Sequence, residues 1–346
     1  MHTPRSTLSI LALLLLFAAL PGLAQTSAAP AAGRITGGVE YEPPEWFKES
    51  FLEIAEDVDE AKEAGRHVML FFHLNGCPYC ARTAEFFDRE PIRSILQKDF
   101  DSIAINIKGD REIAMNENLN TTERLLANYL KVQYTPTILF LDHDNRTVLR
   151  LNGYRSPEVF RTALDFVREQ AYRKQSFSEY KRAHMKRGGY RFIDNPLFED
   201  IRDFSRLRKP VMLIFEDRDC VSCDIFHRKL IRRPEIVEQM QRYRVVRLDA
   251  NSEQPIVDFK GRKTTPRQWA DALKLSYRPG VVLFDQGREV ARVESLLYPF
   301  HFEHVLRYGL AGNYRNYASY LDLMAERQQK LLAEGRQINI GKPEDW

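Results

Sequence analysis

Four cysteines fall in two pairs of identical spacing, Cys77 with Cys80 and Cys220 with Cys223, and the chain has no others. Two thiols three residues apart can close a local disulfide, exchange it with a partner and reopen it. Cys77-Pro78-Tyr79-Cys80 follows an apolar run, Val68 to Leu74, that reads as a buried strand, and it opens a helix. That place gives the first sulfur the positive end of the helix dipole and unsatisfied amide donors. Both favour thiolate, which makes Cys77 the attacking nucleophile. Cys80, one turn further in, is near enough to resolve the mixed disulfide. Pro78 suits the first turn because its missing N–H would have had no partner there.

Cys220-Val221-Ser222-Cys223 repeats the spacing in a different setting. Glu216, Asp217, Asp219 and Asp224 surround it, partly offset by Arg218, His227 and Arg228. Nearby negative charge disfavours a thiolate, so the second pair is expected to be the weaker nucleophile and the more reducing couple.

The elements that position both pairs are set by an internal repeat. Val68-Met69-Leu70-Phe71-Phe72 recurs as Val211-Met212-Leu213-Ile214-Phe215, 143 positions later. The same offset carries Cys77 to Cys220, Cys80 to Cys223, Pro91 to Pro234, Tyr134 to Tyr277 and Pro136 to Pro279. Matches this dense mark a duplicated domain. The length agrees, since single cores rarely grow beyond about 250 residues. In the first copy, apolar spacing through Phe47, Phe51, Ile54 and Ala55 predicts a helix over 45–64. A strand over 68–74, the CxxC helix, a short helix from Pro91 and a strand over 102–107 follow. Thr121 or Thr122 is placed to cap a helix ending near Lys131. Strands over 137–141 and 148–151 and a helix from Ser156 to about Tyr172 close the unit. Strands alternating with helices, then a hairpin and a helix, give an α/β sheet covered on both faces.

With these motifs in place, both copies resemble the thioredoxin superfamily. The first, with His73-Leu74-Asn75-Gly76-Cys77-Pro78-Tyr79-Cys80, resembles periplasmic thioredoxin-like proteins of the SoxW type. The likeness covers roughly 45–172 and 191–310. It implies two tandem thioredoxin-like domains, each a central mixed sheet with helices on both faces. It also implies a thiol–disulfide oxidoreductase that exchanges disulfides with protein substrates through Cys77, Cys80, Cys220 and Cys223, domain 1 being the main catalytic centre. No metal and no cofactor is implied. The family places a cis proline opposite the disulfide, and Pro136 and Pro279 stand at the matching positions; with Thr135 they are the implied substrate-binding residues. Arg278, before the second proline, departs from the usual apolar residue or threonine and puts ordinary peptide docking there in question. Phe71 and Ile214 stand where many thioredoxins carry a buried aspartate. His73 and Glu216 are alternative proton acceptors, but His73 reads first as a strand-end histidine making ordinary contacts.

The N-terminus reads as an export signal over 1–24, with Arg5, an apolar run from Leu8 to Leu20 and small residues before a cut after Ala24. A retained anchor is the alternative reading, although the run is short for a membrane span. Residues 25–44 read as a flexible leader. Export makes the expected location periplasmic and the expected partners protein thiols and disulfides there, with room for a membrane or soluble electron donor. The formal charge of +3 gives no reason to expect nucleic acid. Domain 1 is expected over 45–180 and domain 2 over 181–346. They join through a basic stretch, 172–190, that reads as a solvated linker or an anionic docking patch. A helix over 317–333 is expected to pack on domain 2.

Redox poise rather than motif selects reductase, oxidase or isomerase. Three other readings stay open. The disulfides could be static staples, although so short a loop removes little chain entropy. The four thiolates could form a zinc or copper site, which needs the two domains face to face. The folds could also serve as docking platforms, the second without catalysis.

Overall fold

The strand His67–His73 is apolar at each interior position, so it has to be covered on both faces, and it lies inside the first of two four-stranded sheets. The structure, a computed structural model, describes residues 1–2, 33–185 and 189–346. The expected signal, apart from its first two residues, and the leader up to residue 32 lie outside the described residues. From Gly33 onward the described chain belongs to one compact unit.

In chain order the first domain has β1 (Arg34–Thr36), α1 (Ile54–Glu63), β2 (His67–His73), α2 (Pro78–Phe87), α3 (Ile92–Asp99) and β3 (Phe100–Asn106). There follow β4 (Glu112–Asn116), β5 (Leu119–Thr122), α4 (Glu123–Tyr129), β6 (Thr137–Leu141), β7 (Thr147–Asn152) and α5 (Pro157–Arg168). Helix α6 (Phe177–His184) spans the expected boundary at 180/181. The second domain has β8 (Val211–Glu216), α7 (Cys223–Ile225), a π-helical turn Phe226–Leu230, α8 (Pro234–Met240) and β9 (Arg244–Asp249). It continues with β10 (Ile256–Val257), β11 (Lys263–Thr264), α9 (Pro266–Ala272), β12 (Gly280–Asp285), β13 (Arg288–Val293) and α10 (Pro299–Tyr308). The chain then forms α11 (Asn313–Asn316), α12 (Tyr320–Ala333) and β14 (Gln337–Asn339).

The sheets run β3-β2-β6-β7 and β9-β8-β12-β13, each with one parallel pair and otherwise antiparallel. Their registers repeat at the sequence offset: Leu70 faces Ile103 and Leu139, and Leu213 faces Val246 and Val282. The α/β architecture of two thioredoxin-like units is present. Strand alternation sends Val68, Leu70 and Phe72 to a core of their own with Ile54 and Val58, and Val211, Leu213 and Phe215 to another with Phe204 and Trp269. The opposite faces, Met69 and Phe71 in one domain and Met212 and Ile214 in the other, meet in one apolar cluster that crosses the domain boundary. Cys77 and Cys80 belong to that shared cluster.

Four local expectations are corrected. The helix expected over 45–64 begins only at Ile54: residues 45–47 form a turn, and Leu52 takes a left-handed conformation with φ 64° that a helix cannot contain; Phe51 is left exposed. Thr122 holds the cap position of α4 without a side-chain cap bond, whereas Thr265 Oγ1 accepts from Gln268 N–H at the start of α9. Beyond residue 32 the leader is structured: β1 pairs in parallel with β14. Gly37 fits there because a Cβ would meet the Gly341 nitrogen at 2.3 Å, and its φ of +81° suits glycine. Helix α12 serves both domains, since Tyr320 contacts Tyr134 and Lys108 pairs with Asp322.

Candidate active site

Cys77 is the N-cap of α2, and its sulfur accepts the Cys80 N–H at 3.1 Å, so the helix start presents a donor to it as the sequence implies. The two sulfurs are at disulfide distance with Cα atoms 5.3 Å apart. Cys77 keeps slight exposure at 7%, while Cys80 has none. Facing the pair is the turn Tyr134-Thr135-Pro136, with the Thr135–Pro136 peptide cis. Thr135 Oγ1 donates to Cys77 Sγ at 3.4 Å, and the Thr135 carbonyl oxygen lies 3.5 Å from the same sulfur. The structure thus brings Cys77, Cys80, Thr135 and Pro136 together. His73 sits on the same face of β2 as Phe71, its ring stacked on Phe71 and edge-on to Tyr41. Burial pulls its pKa down to about 4, and Nδ1 has no hydrogen-bond partner. A neutral imidazole in apolar surroundings is the result.

Cys220 and Cys223 are also at disulfide distance, with Cα atoms 5.5 Å apart. Here the helix starts three residues later, at Cys223, so Cys220 is not a helix cap. The acids counted around this pair are engaged. Glu216 is fully buried, accepts from Tyr190 Oη at 3.1 Å and lies 2.5 Å from His227 Nε2. Asp217 pairs with Arg278 at 3.1 Å, and Asp224 with Arg228 at 3.3 Å. Arginines thus face Asp217 and Asp224, which offsets part of the negative charge counted near Cys220. Arg278 does not project as a loose cation either; it is buried, its Nη1 also donating to the Leu275 and Tyr277 carbonyls.

The turn around cis Pro279 is covered. Arg155 of the first domain reaches it, Nη2 donating to Ser276 Oγ at 3.3 Å and Nη1 to the Glu294 carbonyl at 2.6 Å. From α6, Ser178 Oγ donates to the Leu275 carbonyl at 3.1 Å. Lys181 stands half-buried nearby, and desolvation first, then the Arg278 cation, lowers its ammonium to about 8. Ser276, Arg278 and Pro279 are buried, whereas Thr135 in the first domain is half-buried.

A family model for the thioredoxin-like domain matches residues 54–168 and 197–310, more than half of the chain. The chain belongs to the thioredoxin-like family. Similar solved structures include a thioredoxin-fold protein from Helicobacter pylori, 22% identical over 39% of this chain and 97% of that one, TM-score 0.32. A thioredoxin from Thermus thermophilus is 26% identical over 33% of this chain and 83% of its own, TM-score 0.27. A disulphide isomerase from Xylella fastidiosa is 13% identical over 42% of this chain and all of its own, TM-score 0.25. No curated protein matches the chain.

Each thioredoxin-like domain also carries a strap that single-offset reasoning missed. Val39 N–H donates to the Gly76 carbonyl beside Cys77, and Tyr190 N–H donates to the Arg218 carbonyl beside Cys220. Further along, Lys48 and Glu199 donate to the carbonyls of Ser102 and Val245, which are equivalent positions. These pairs are offset by 151 rather than 143, and the available signal is Gly-Gly followed by a short aromatic segment at 37–41 and 188–192. Tyr190 packs on Cys220 and Cys223. The second missed feature is Tyr79, whose ring stacks on Tyr298 of the second domain at 4.4 Å. As for a four-thiolate metal site, among the described residues no three His, Cys, Asp or Glu side chains gather to hold an ion.

Proposed function

We propose that the chain is a thiol–disulfide oxidoreductase and that its first domain exchanges disulfides with protein substrates. The observation that carries this reading is the approach of Thr135 to Cys77, with Oγ1 and the carbonyl oxygen both within 3.5 Å of the sulfur. An extended substrate segment pairing along Thr135 would bring its own disulfide to that sulfur. The Cys77 thiolate attacks one substrate sulfur and expels the other as thiolate. Cys80 then attacks Cys77 Sγ, releasing the reduced substrate and closing the Cys77–Cys80 bond. The helix-start donor and the Thr135 hydroxyl both favour the charged form of Cys77. The SoxW-like signature around Cys77 and the export signal read at 1–24 support a periplasmic setting, where protein disulfides are plentiful.

The test is trapping. Cys80→Ser should accumulate mixed disulfides with secreted proteins, and Cys77→Ser should accumulate few. Trapping that survives loss of Cys77 but not of Cys80 would reverse the roles.

A further inference from the structure

We propose that the second centre exchanges with a small, carboxylate-bearing thiol rather than with a protein strand. This rests on the reading above that the CxxC pairs exchange disulfides. Two independent observations meet here. The turn that an extended substrate would pair with is covered: Arg278, in the place of Thr135, is buried and turned inward onto Asp217, and Arg155 and Ser178 hold Ser276 Oγ and the Leu275 carbonyl just before it. Beside Cys220, however, a cavity of about 470 Å³ is open, bounded by Tyr190, Arg191, Cys220, Val221, Asp224 and Arg228. Its size suits a small molecule rather than a folded partner.

The lining states the chemistry. Arg191 and Arg228 stand against one carboxylate, Asp224, which already pairs with Arg228. A guanidinium is the group that best grips a carboxylate. Val221, 81% exposed, offers an apolar patch for the carbon stem. Cys220 lines the cavity and Cys223 is wholly buried, so the attack falls on Cys220.

The exchange balances. The small thiolate attacks Cys220 Sγ and breaks the Cys220–Cys223 bond, leaving a mixed disulfide and the Cys223 thiolate. A second small thiolate attacks the sulfur of the first and frees Cys220. The two protons brought by the thiols end on the cysteines. Two molecules of RSH become RSSR, and the protein disulfide becomes a dithiol. The reverse reaction uses the same steps.

The experiment uses the full chain with Cys77→Ser and Cys80→Ser, so that only the second pair reports. Its reduction rate is measured with 3-mercaptopropionate, 2-mercaptoethanol and cysteamine, each expressed per thiolate present. The carboxylate thiol should be fastest and the amine slowest. Adding Arg191→Ser and Arg228→Ser should cut the preference for 3-mercaptopropionate over 2-mercaptoethanol about fivefold. Raising the salt to 1 M should shrink the same preference. Equal rates for the three thiols, or a preference untouched by the arginine changes, would overturn the proposed ligand chemistry. Reduction of insulin by this protein as fast as by one keeping only the first pair would overturn the small-substrate assignment. A second pair inert to all three thiols yet reducible after unfolding would instead remove the exchange reading of this centre.

Discussion

Tyr79 Oη accepts the backbone N–H of Tyr298, across 219 positions of sequence and from one domain to the other. The hydroxyl thereby satisfies an amide at the start of α10, where Tyr298 is the cap residue and its side chain caps nothing. One of the two residues between Cys77 and Cys80 is thus a structural member of the second domain.

Tyr79→Phe keeps the stacked ring and leaves the Tyr298 N–H buried without an acceptor. The expected cost is about 1–3 kcal/mol. A lower urea midpoint with an unchanged slope is the signature, and an unchanged midpoint would show that water replaces the bond.

Thr135→Val removes the hydroxyl that reaches Cys77 Sγ but keeps the shape. Losing a donor to the thiolate disfavours the charged form, so alkylation of Cys77 should need a higher pH. The pH dependence of alkylation in a Cys80→Ser background measures it. A curve that does not move would mean the hydroxyl points elsewhere when the thiol is free.

Glu216→Ala strips the partner from both His227 and Tyr190, and loss of one member of a buried pair costs about 3–5 kcal/mol. Because Tyr190 anchors the strap over Cys220, limited proteolysis near 189–193 should also quicken. Stability loss without faster cutting would show that packing of the Tyr190 ring holds the strap by itself.

His73, His301 and His304 are buried, and burial lowers each pKa from the usual 6.5 to about 4. Above pH 6.5 neither folded nor unfolded chain protonates them, and their full contribution is present. As the pH falls from 6.5 toward 4 the unfolded chain takes up protons the folded one refuses, so stability drops by about 1.4 kcal/mol per pH unit for each histidine. Urea midpoints from pH 7.5 to 4.5 should follow this slope, and His301→Asn with His304→Asn should flatten it. An unaltered slope in that variant would place the acid sensitivity in groups other than His301 and His304.

Legibility followed distance along the chain. The cysteine pairs, the repeated prolines at 136 and 279 and the succession of strands and helices along the chain were readable because each is set by residues close in sequence and written twice. The straps were not, because α1 lengthens the first copy by eight residues between Lys48 and β2 relative to the second, and a comparison at one offset breaks there. Phe51 shows the same limit from the other side: its spacing fits an apolar helical face, but the helix begins after it. The partners of Arg278, Glu216 and Tyr79 lie 11 to 219 positions away, and only the tertiary fold selects them. Reading the acids near Cys220 by sequence proximity therefore missed the arginine, 61 positions on, that the fold sets against Asp217.

The pairing of β1 with β14 joins residues 303 positions apart, and the strap that runs past Gly76 continues directly from β1. The first cysteine pair acquires this tether only once both domains have been synthesised. A ribosome-bound first domain would present Cys77 with its strap unfastened. Maturation of the chain is thus written into the order in which it emerges, with the surroundings of the first cysteine pair completed by a segment near residue 338.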